Sequence, residues 1–337
     1  MTFQNEFTRS LNLKFPLVMA PMFLASNEAM IHEGIESGIL ACFPSQNFRK
    51  TGELNDVLQR LNEKLIARKG SPGNYGVNLI VQKTNSWFEE HLEVCVRNKV
   101  PLIITSLGNP EKTIKAVHEY GGKVFCDVTN LTYAEKCMQL RCDGFIAVGQ
   151  GAGGHAGPHP LHLFIEALRN NYPGIPVLAA GGIANGKAIL GMLAFGASAA
   201  YCGTRFIATT ESPVSADYKN AILKAGMDDI VMTERISGTP LSIINTDFAQ
   251  KIGKHQNFFE RYMSRNPNTK KYFKTLVQRR GWNWLEEAVK PGNYHNLWCA
   301  GESVELIDDI VPVKVLVERL IRETEDAFRE INSIRVE

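Results

Sequence analysis

Short apolar segments alternate with amphipathic segments between residues 17 and 203 of the chain. The apolar segments have the length of buried strands, and the segments between them carry apolar residues at helical spacing. Eight such strands are typical of a closed (β/α)8 TIM barrel rather than of an open doubly wound sheet. The predicted strands cover residues 17–20, 39–42, 75–80, 102–105, 123–127, 144–148, 177–180 and 199–203.

The connecting segments support this prediction, because several of them begin with a capping residue or with a proline in the first turn. A further amphipathic segment, residues 311–331, predicts a terminal helix. We therefore expect an α/β fold in which helices surround a parallel barrel. Five helical patterns within the barrel cover residues 27–37, 53–68, 86–98, 110–120 and 132–140.

After about residue 234 the regular alternation stops, and residues 251–295 combine basic with aromatic side chains. Such a mixture occurs where nucleic-acid bases stack, but no nucleic-acid module is present, and we interpret the segment as a helical cap on the barrel rim. We expect a barrel over residues 1–234 and a mainly helical extension over residues 235–337, which includes a terminal helix that completes the barrel surface. The aromatic residues of the cap segment are Phe258, Phe259, Tyr262, Tyr272, Phe273, Trp282 and Trp284.

The charge balance favours a small-molecule substrate, because 37 Lys and Arg residues face 35 Asp and Glu residues and the net charge is only +2. Such a balance gives no electrostatic case for nucleic acid or for an anionic membrane. We find neither a secretory signal in residues 1–12 nor an apolar run near the ~20 residues of a membrane span. Seven scattered cysteines without a C-x-x-C pair indicate reduced core residues of a cytoplasmic protein.

Residues 150–157, Gln-Gly-Ala-Gly-Gly-His-Ala-Gly, follow the sixth predicted strand. Glycines let a main chain approach a ligand closely, and His155 is the one ionisable side chain of this run. In TIM barrels the loops at the C-terminal ends of the strands form the active site. His155 is therefore the candidate catalytic residue, whereas His159 and His162, on the next loop and helix start, are weaker candidates.

Two glycine turns follow the seventh and eighth predicted strands, at Gly181-Gly182 and at Gly203-Thr204. Each turn precedes a helix, and we expect it to present unpaired main-chain amides to an anion. Phosphate groups of ligands are commonly bound at these two loops of a TIM barrel. The turns therefore predict a phosphorylated ligand without specifying which one.

Five motifs in order resemble the nitronate monooxygenases, formerly called 2-nitropropane dioxygenases. The resemblance runs from about residue 14 to about residue 245 and returns at residues 300–307. The family also contains FMN-dependent enoyl-acyl carrier protein reductases and NADH:quinone reductases on the same barrel. The motifs are Leu-Val-Met-Ala-Pro-Met at 17–22, Gly-Val-Asn-Leu at 76–79, Ala-Gly-Gly-His-Ala-Gly at 152–157, Ala-Gly-Gly-Ile at 180–183 and Gly-Thr-Arg-Phe at 203–206.

The resemblance implies noncovalently bound FMN and no metal. It places the main chain of Met22 beside the isoalloxazine ring, Asn78 at the ring or the ribityl chain, and Gly153 at the flavin face. It assigns the phosphate to the two glycine turns, and His155 matches the active-site histidine of the family. The full set of expected cofactor-binding residues is Pro21, Met22, Asn78, Thr129, Gly153, Gly154, Gly181, Gly182, Tyr201, Cys202, Gly203 and Thr204.

The chain departs from the family at Gly151, where glutamate is common, and at Val148 and Tyr201, where many members have glutamine. The activity implied first is oxidation of an alkyl nitronate by O2 to a carbonyl compound and nitrite. In that reaction His155 removes the α-proton of a neutral nitroalkane or orients a nitronate anion.

Two alternatives stay open at this point. One is an NAD(P)H-dependent reductase that acts on an enoyl thioester or a quinone, and the other is a flavin-binding protein that has lost turnover. The sequence leaves the natural substrate, the use of NAD(P)H and the choice between monomer and homodimer undecided.

Overall fold

A computed structural model describes residues 3–236, 239–253 and 296–334, together with Val277, Arg280, Gly281, Asn283, Trp284 and Glu286. Eight parallel strands form a closed barrel in this structure, so the predicted TIM barrel is confirmed. Their ends agree with the predicted ends to within two residues. The barrel strands are β1 (Leu17–Met19), β2 (Leu40–Pro44), β3 (Asn74–Ile80), β4 (Leu102–Ser106), β5 (Lys123–Val128), β6 (Gly144–Val148), β8 (Val177–Ala180) and β9 (Ala199–Cys202).

The barrel closes where β9 pairs in parallel with β1, with Tyr201 opposite Val18. Helices surround the strands, and asparagine side chains at positions 27, 130 and 185 cap three of them by accepting a main-chain amide of the first turn. The first six helices are α1 (Glu6–Ser10), α2 (Glu28–Glu36), α3 (Glu53–Ala67), α4 (Phe88–Arg97), α5 (Glu111–His118) and α6 (Leu131–Gln139). The other α-helices within the described residues are α7 (Leu161–Asn171), α8 (Gly186–Ala194), α9 (Thr204–Ile207), α10 (Ala216–Lys224), α11 (Asp247–Ile252) and α12 (Val313–Ser333).

Helix α1 closes one end of the barrel. Phe7, Leu11 and Leu13 pack into the same apolar cluster as the inward-facing strand residues, which include Phe125. The Asn5 side chain fixes the helix, because it accepts from the Thr8 amide and donates to the main chain of the β8–β9 connection. The N-terminal ends of the strands are thereby sealed, and the opposite end is left for a ligand.

The C-terminal helix α12 packs against both α2 and α8, with Leu316, Val317 and Leu320 buried. It therefore lies where the eighth helix of a TIM barrel is expected, although about a hundred residues separate it from the eighth barrel strand. Its Glu323 carboxylate accepts from the Gly186 amide at 2.8 Å. The end of the chain thus contacts the first turn of α8.

A small antiparallel sheet lies outside the barrel, in strand order β10, β11, β7. Strands β10 (Ile230–Thr233) and β11 (Leu241–Ile244) form a hairpin, and β11 also pairs with the two-residue strand β7 (Gly154–His155). The sequence pattern does not predict this hairpin, because its strands have four residues each and carry no distinctive alternation. The hairpin spans the expected boundary after residue 234, and its second strand pairs with the histidine loop, residues 150–157.

Most of the aromatic and basic segment 251–295 lies outside the described residues. Within the described part, the Trp284 ring packs edge-on against Phe248 of α11 at 6.0 Å between centroids. Glu286 forms an ion pair with Arg49, which follows β2. These contacts place the described cap residues against α11 and the β2 loop.

No helix among the described residues is long and apolar enough to cross a membrane. All seven cysteines belong to the described part of the chain; six are buried, Cys299 is half-buried, and none forms a disulfide bond.

Two glycines of α8 provide a matched test of the packing between α8 and α12. A Cβ at Gly186 would lie 2.3 Å from the Thr324 nitrogen, whereas a Cβ at Gly191 would meet no atom within 4 Å. We expect Gly186→Ala to lower the free energy of unfolding by about 1–3 kcal/mol through overpacking. Gly191→Ala should raise it by up to about 1 kcal/mol, because alanine favours a helix. Urea denaturation of both variants tests this, and equal effects would contradict the packing described.

Candidate active site

Polar side chains occupy the barrel interior at the C-terminal ends of β3, β4 and β5. The Asn78 amide donates to the Ser106 hydroxyl at 2.7 Å, and the Ser106 hydroxyl donates to Asp127 Oδ2. Strand alternation explains the arrangement, because Asp127 lies two residues after the inward-facing Phe125. The three side chains therefore form one hydrogen-bonded row across the barrel mouth.

The second carboxylate oxygen of Asp127, Oδ1, is buried and has no hydrogen-bond partner among the described residues. Burial raises the pKa of Asp127 to about 6, and the hydrogen bond from Ser106 opposes part of this effect. Tyr201 of β9 lies close by, since burial and the nearby Asp127 and Cys42 raise the pKa of its phenol. A buried acceptor without a donor is costly, so this oxygen requires a partner from outside the described residues.

The loop after β1 holds Met22 through its main chain. The Met22 amide donates to the Ser26 hydroxyl at 2.9 Å, and the Met22 carbonyl accepts from the Ala25 and Ser26 amides. These groups are therefore already paired within the loop. The Met22 side chain lies beside Gly203, since a Cβ at Gly203 would stand 3.8 Å from it. Met22 and Gly203 are thus neighbours at the mouth, as the expected cofactor site requires.

The histidine loop, residues 150–157, is held in place by three main-chain contacts. Strand pairing puts His155 opposite Leu241, the Gln150 amide donates to the His159 carbonyl at 2.9 Å, and the Gly182 amide donates to the Gly151 carbonyl at 3.2 Å. His155 is half-buried in this position. Thr129 lies at the base of the same loop, beside Gly157.

The weaker histidine candidates differ from His155 in their surroundings. The side chains of His159 and His162 are exposed, and their rings pack against Phe164 and Phe195, respectively.

Gly153 and Gly301 pack directly against each other. A Cβ at Gly301 would lie 2.2 Å from the Gly151 carbonyl oxygen, and a Cβ at Gly153 would lie 2.8 Å from the Gly301 nitrogen. The Gly301 amide also donates to Thr204 Oγ1 at 3.0 Å. These contacts alone are sufficient to require glycine at position 153. Residues 300–301 contact both the histidine loop and Thr204, which follows β9.

The sequence predicts unpaired main-chain amides where each glycine turn leads into a helix, but at α8 two of these amides are already hydrogen-bonded. At α8 the Gly186 amide is bonded to Glu323 and the Ala188 amide to the Asn185 side chain, so this helix start is already capped. This part of the prediction is wrong, because a carboxylate from the distant end of the chain occupies the place expected for an anion. Gly181 and Gly182 themselves precede the capped turn.

The turn after β9 is more open. Gly203 has an ordinary φ of −107°, and a Cβ there would meet no atom closer than 3.8 Å. Neither backbone geometry nor packing demands glycine at this position, so close approach of a ligand is the remaining physical reason. The Arg205 side chain, two residues after Gly203, donates a hydrogen bond to Asp309 Oδ1 at 2.6 Å. Arg205 therefore fastens α9 to the C-terminal segment.

The residues of the mouth fit a flavin cofactor. A flavin ring carries an N–H donor that suits an unpaired carboxylate oxygen, and a flavin phosphate suits an open glycine turn. The expected ring-binding residue Asn78 belongs to the polar row that ends at Asp127. The sequence motifs assign no role to Asp127 or Ser106. A carboxylate within the apolar run Phe-Cys-Asp-Val at residues 125–128 is nevertheless a signal that could identify Asp127.

A sequence profile described as nitronate monooxygenase matches residues 42–323 of the chain. The chain belongs to the nitronate monooxygenase family. Membership makes it an oxidoreductase of the flavin-dependent kind. The suspected family is thus confirmed.

Relatives of this family member carry different names. The chain is 25% identical to a probable nitronate monooxygenase of Staphylococcus haemolyticus in a match that covers 86% of this chain and 92% of that protein. It is 23% identical to a (3aS,4S,5R,7aS)-5-hydroxy-7a-methyl-1-oxo-octahydro-1H-indene-4-carboxyl-CoA dehydrogenase of Rhodococcus jostii, in a match that covers 99% of this chain and 98% of that protein. The solved structure of FabK from Thermotoga maritima superposes with a TM-score of 0.83 at 28% identity, over 99% of this chain and all of that one.

The pKa of Asp127 predicts how the stability of the FMN-free protein depends on pH. Its folded-state value of about 6 exceeds the ordinary value, so the folded protein binds more protons and loses stability as the pH rises from about 4 to 6. Since each pKa unit corresponds to about 1.4 kcal/mol, the loss amounts to at most about 3 kcal/mol. Asp127→Asn should remove it.

Urea denaturation of the FMN-free wild type and variant between pH 4 and pH 8 measures this difference. The variant should be the more stable protein at pH 7.5, and its advantage should disappear near pH 4. An advantage that does not change with pH would contradict the assignment.

Proposed function

We propose that the chain binds FMN across the barrel mouth and oxidises alkyl nitronates with O2 to a carbonyl compound and nitrite. The observation that supports this proposal is the pairing of β7 with β11, which orders the loop of His155 after the sixth barrel strand. Bound FMN supplies the electron transfer, and the protein supplies orientation and proton transfer.

The residues proposed to hold FMN surround the strand ends. Asn78 and Tyr201 reach the ring from the barrel interior, and Gly203 and Thr204 follow the strand that closes the barrel. We propose that the phosphate lies at the turns after β8 and β9, with the capped start of α8 as its outer boundary. The remaining proposed contacts are Pro21, Met22, Thr129, Gly153, Gly154, Gly181, Gly182 and Cys202.

His155 is the proposed catalytic residue. With a neutral nitroalkane its imidazole removes the α-proton, and with a nitronate it orients the anion by donating a hydrogen bond. Its place in a strand pair holds the loop main chain on either side of it. Orientation of the base is therefore supplied by the extension of the chain and not by the barrel alone.

A second candidate function is dehydrogenation or reduction of a thioester-type substrate through FMN, with a nicotinamide as the other redox partner. The Rhodococcus jostii relative favours it, since its name describes a carboxyl-CoA dehydrogenase and the match spans nearly the whole of both chains. The similarity to FabK points in the same direction for the fold and the barrel residues.

Anaerobic mixing of the FMN-loaded protein separates the two functions. Under the first proposal an alkyl nitronate bleaches the flavin absorbance rapidly and NAD(P)H does not. Rapid bleaching by NAD(P)H, with none by the nitronate, supports the second function. An FMN-loaded protein that is reduced by neither the nitronate nor NAD(P)H would indicate flavin binding without turnover. A protein that cannot be loaded with FMN contradicts both proposed functions and flavin binding itself.

Replacement of His155 tests the catalytic assignment. We expect His155→Asn to retain FMN and to lose about 10²–10⁴-fold in turnover with a neutral nitroalkane, because general base catalysis contributes about that much. Turnover of a preformed nitronate should fall less, since no α-proton is removed. Steady-state oxygen consumption with both substrate forms measures the effect.

His159→Asn is the matched control, because His159 is exposed on the same loop and should leave both rates unchanged. An unchanged rate of nitroalkane turnover in His155→Asn would overturn the base assignment.

We also propose that the described extension frames the mouth, with residues 1–234 as the barrel and residues 235–337 as the cap and closing helix. The partners we propose are a small-molecule substrate and O2, with NAD(P)H required only by the second function, in the cytoplasm and without nucleic acid.

A further inference from the structure

The Asp127 carboxylate lies at the barrel mouth, and the proposed reaction does not use it. Its Oδ2 accepts from Ser106, and Ser106 in turn accepts from Asn78, so its position is defined from two neighbouring strands. Its Oδ1 is buried and has no partner among the described residues. A hydrogen-bond acceptor is thus presented without a donor, within the row that contains the proposed ring-binding residue.

We propose that Asp127 accepts a hydrogen bond from bound FMN through Oδ1 and takes up a proton when the flavin is reduced. This inference rests on the proposed binding of FMN at the barrel mouth. It makes Asp127 a cofactor-contacting residue that controls the reduction potential, a role distinct from that of the catalytic His155.

The surroundings of Asp127 favour proton uptake. Four titratable side chains interact with it electrostatically, namely Cys42 of β2, Tyr133 and Cys137 of α6, and Tyr201 of β9. Each of them has a pKa above its ordinary value and is neutral between pH 5 and pH 8. None supplies a positive charge, and the next two barrel strands, β6 and β8, contribute the apolar Val148 and Ala180. Added negative charge on a reduced flavin nearby would therefore be countered most directly by protonation of the carboxylate.

The proton balance follows from this arrangement. When a reductant transfers two electrons, the flavin gains those electrons and one proton, and the Asp127 carboxylate gains one further proton to become a carboxylic acid. When O2 reoxidises the cofactor, the two electrons and both protons pass to O2, which becomes H2O2, and the Asp127 carboxylate is ionised again. At neutral pH the wild type should thus take up two protons for each pair of electrons.

Potentiometry of the FMN-loaded protein tests the proposal without any substrate. Dithionite serves as the reductant, and the midpoint potential is measured with redox dyes between pH 6.5 and pH 8. The potential of the wild type should fall with pH about twice as steeply as that of Asp127→Asn. The variant should also have the more positive potential, because a negative charge beside the flavin is removed.

Two further variants complete the design. Asp127→Ser also removes the carboxylate and should match Asp127→Asn, which keeps the test valid if one of the variants folds poorly. Asp143→Asn is the control, since Asp143 bonds the Val124 amide and His118, away from the mouth, and it should behave like the wild type.

The outcomes separate this inference from the proposed function. A wild type that cannot be loaded with FMN overturns the proposed function. Normal loading, with the same potential and the same pH slope in the wild type and both Asp127 variants, overturns only the role of Asp127.

Discussion

Antiparallel pairing between β7 and β11 is the constraint on which the candidate active site depends. A loop with four glycines loses much conformational entropy when it is ordered, because each fixed residue costs about 1–2 kcal/mol and glycine costs the most. Strand pairing at His155, the amide of Gly182 and the close packing of Gly301 offset this cost together. Two of these three contributions, the pairing with β11 and the contact with Gly301, come from residues beyond the eighth barrel strand. The barrel provides the position of the loop, and the extension provides its order.

The barrel mouth, in contrast, is locally unfavourable in the absence of a ligand. Asn78, Ser106 and Asp127 form a connected row, yet the row ends in a buried oxygen for which the described residues provide no donor. Partly satisfied buried networks destabilise a protein, whereas a ligand that completes the network stabilises it through binding. Under the proposed binding of FMN, the same carboxylate that destabilises the FMN-free protein would contribute to affinity for the cofactor and to control of its potential. The stability of this site and its function are therefore linked through one side chain.

The sequence predicted the barrel well because each strand is a short run of apolar residues between clear helical patterns. Long-range contacts are what it could not reveal. The start of α8 looked free for an anion, but Glu323 lies 137 residues further along the chain and caps it. The β10–β11 hairpin has short strands whose partner is a two-residue strand, so no local pattern marks it. Asp127 was visible as a carboxylate in an apolar run, yet its unpaired oxygen is a property of the packed barrel alone.

The two candidate reactions share their first requirement, which explains how one barrel serves relatives with different names. Nitroalkanes and thioesters both carry an acidic α-proton beside an electron-withdrawing group, and a single base facing a flavin can remove it in either case. Under either proposal His155 and the strand-end residues would supply the shared chemistry without distinguishing the substrates. Under both proposals discrimination must arise where a substrate extends away from the flavin, and β11 is the described strand of the extension that pairs directly with the loop of the proposed base. Changes in the extension are accordingly expected to alter substrate choice while the cofactor site stays the same.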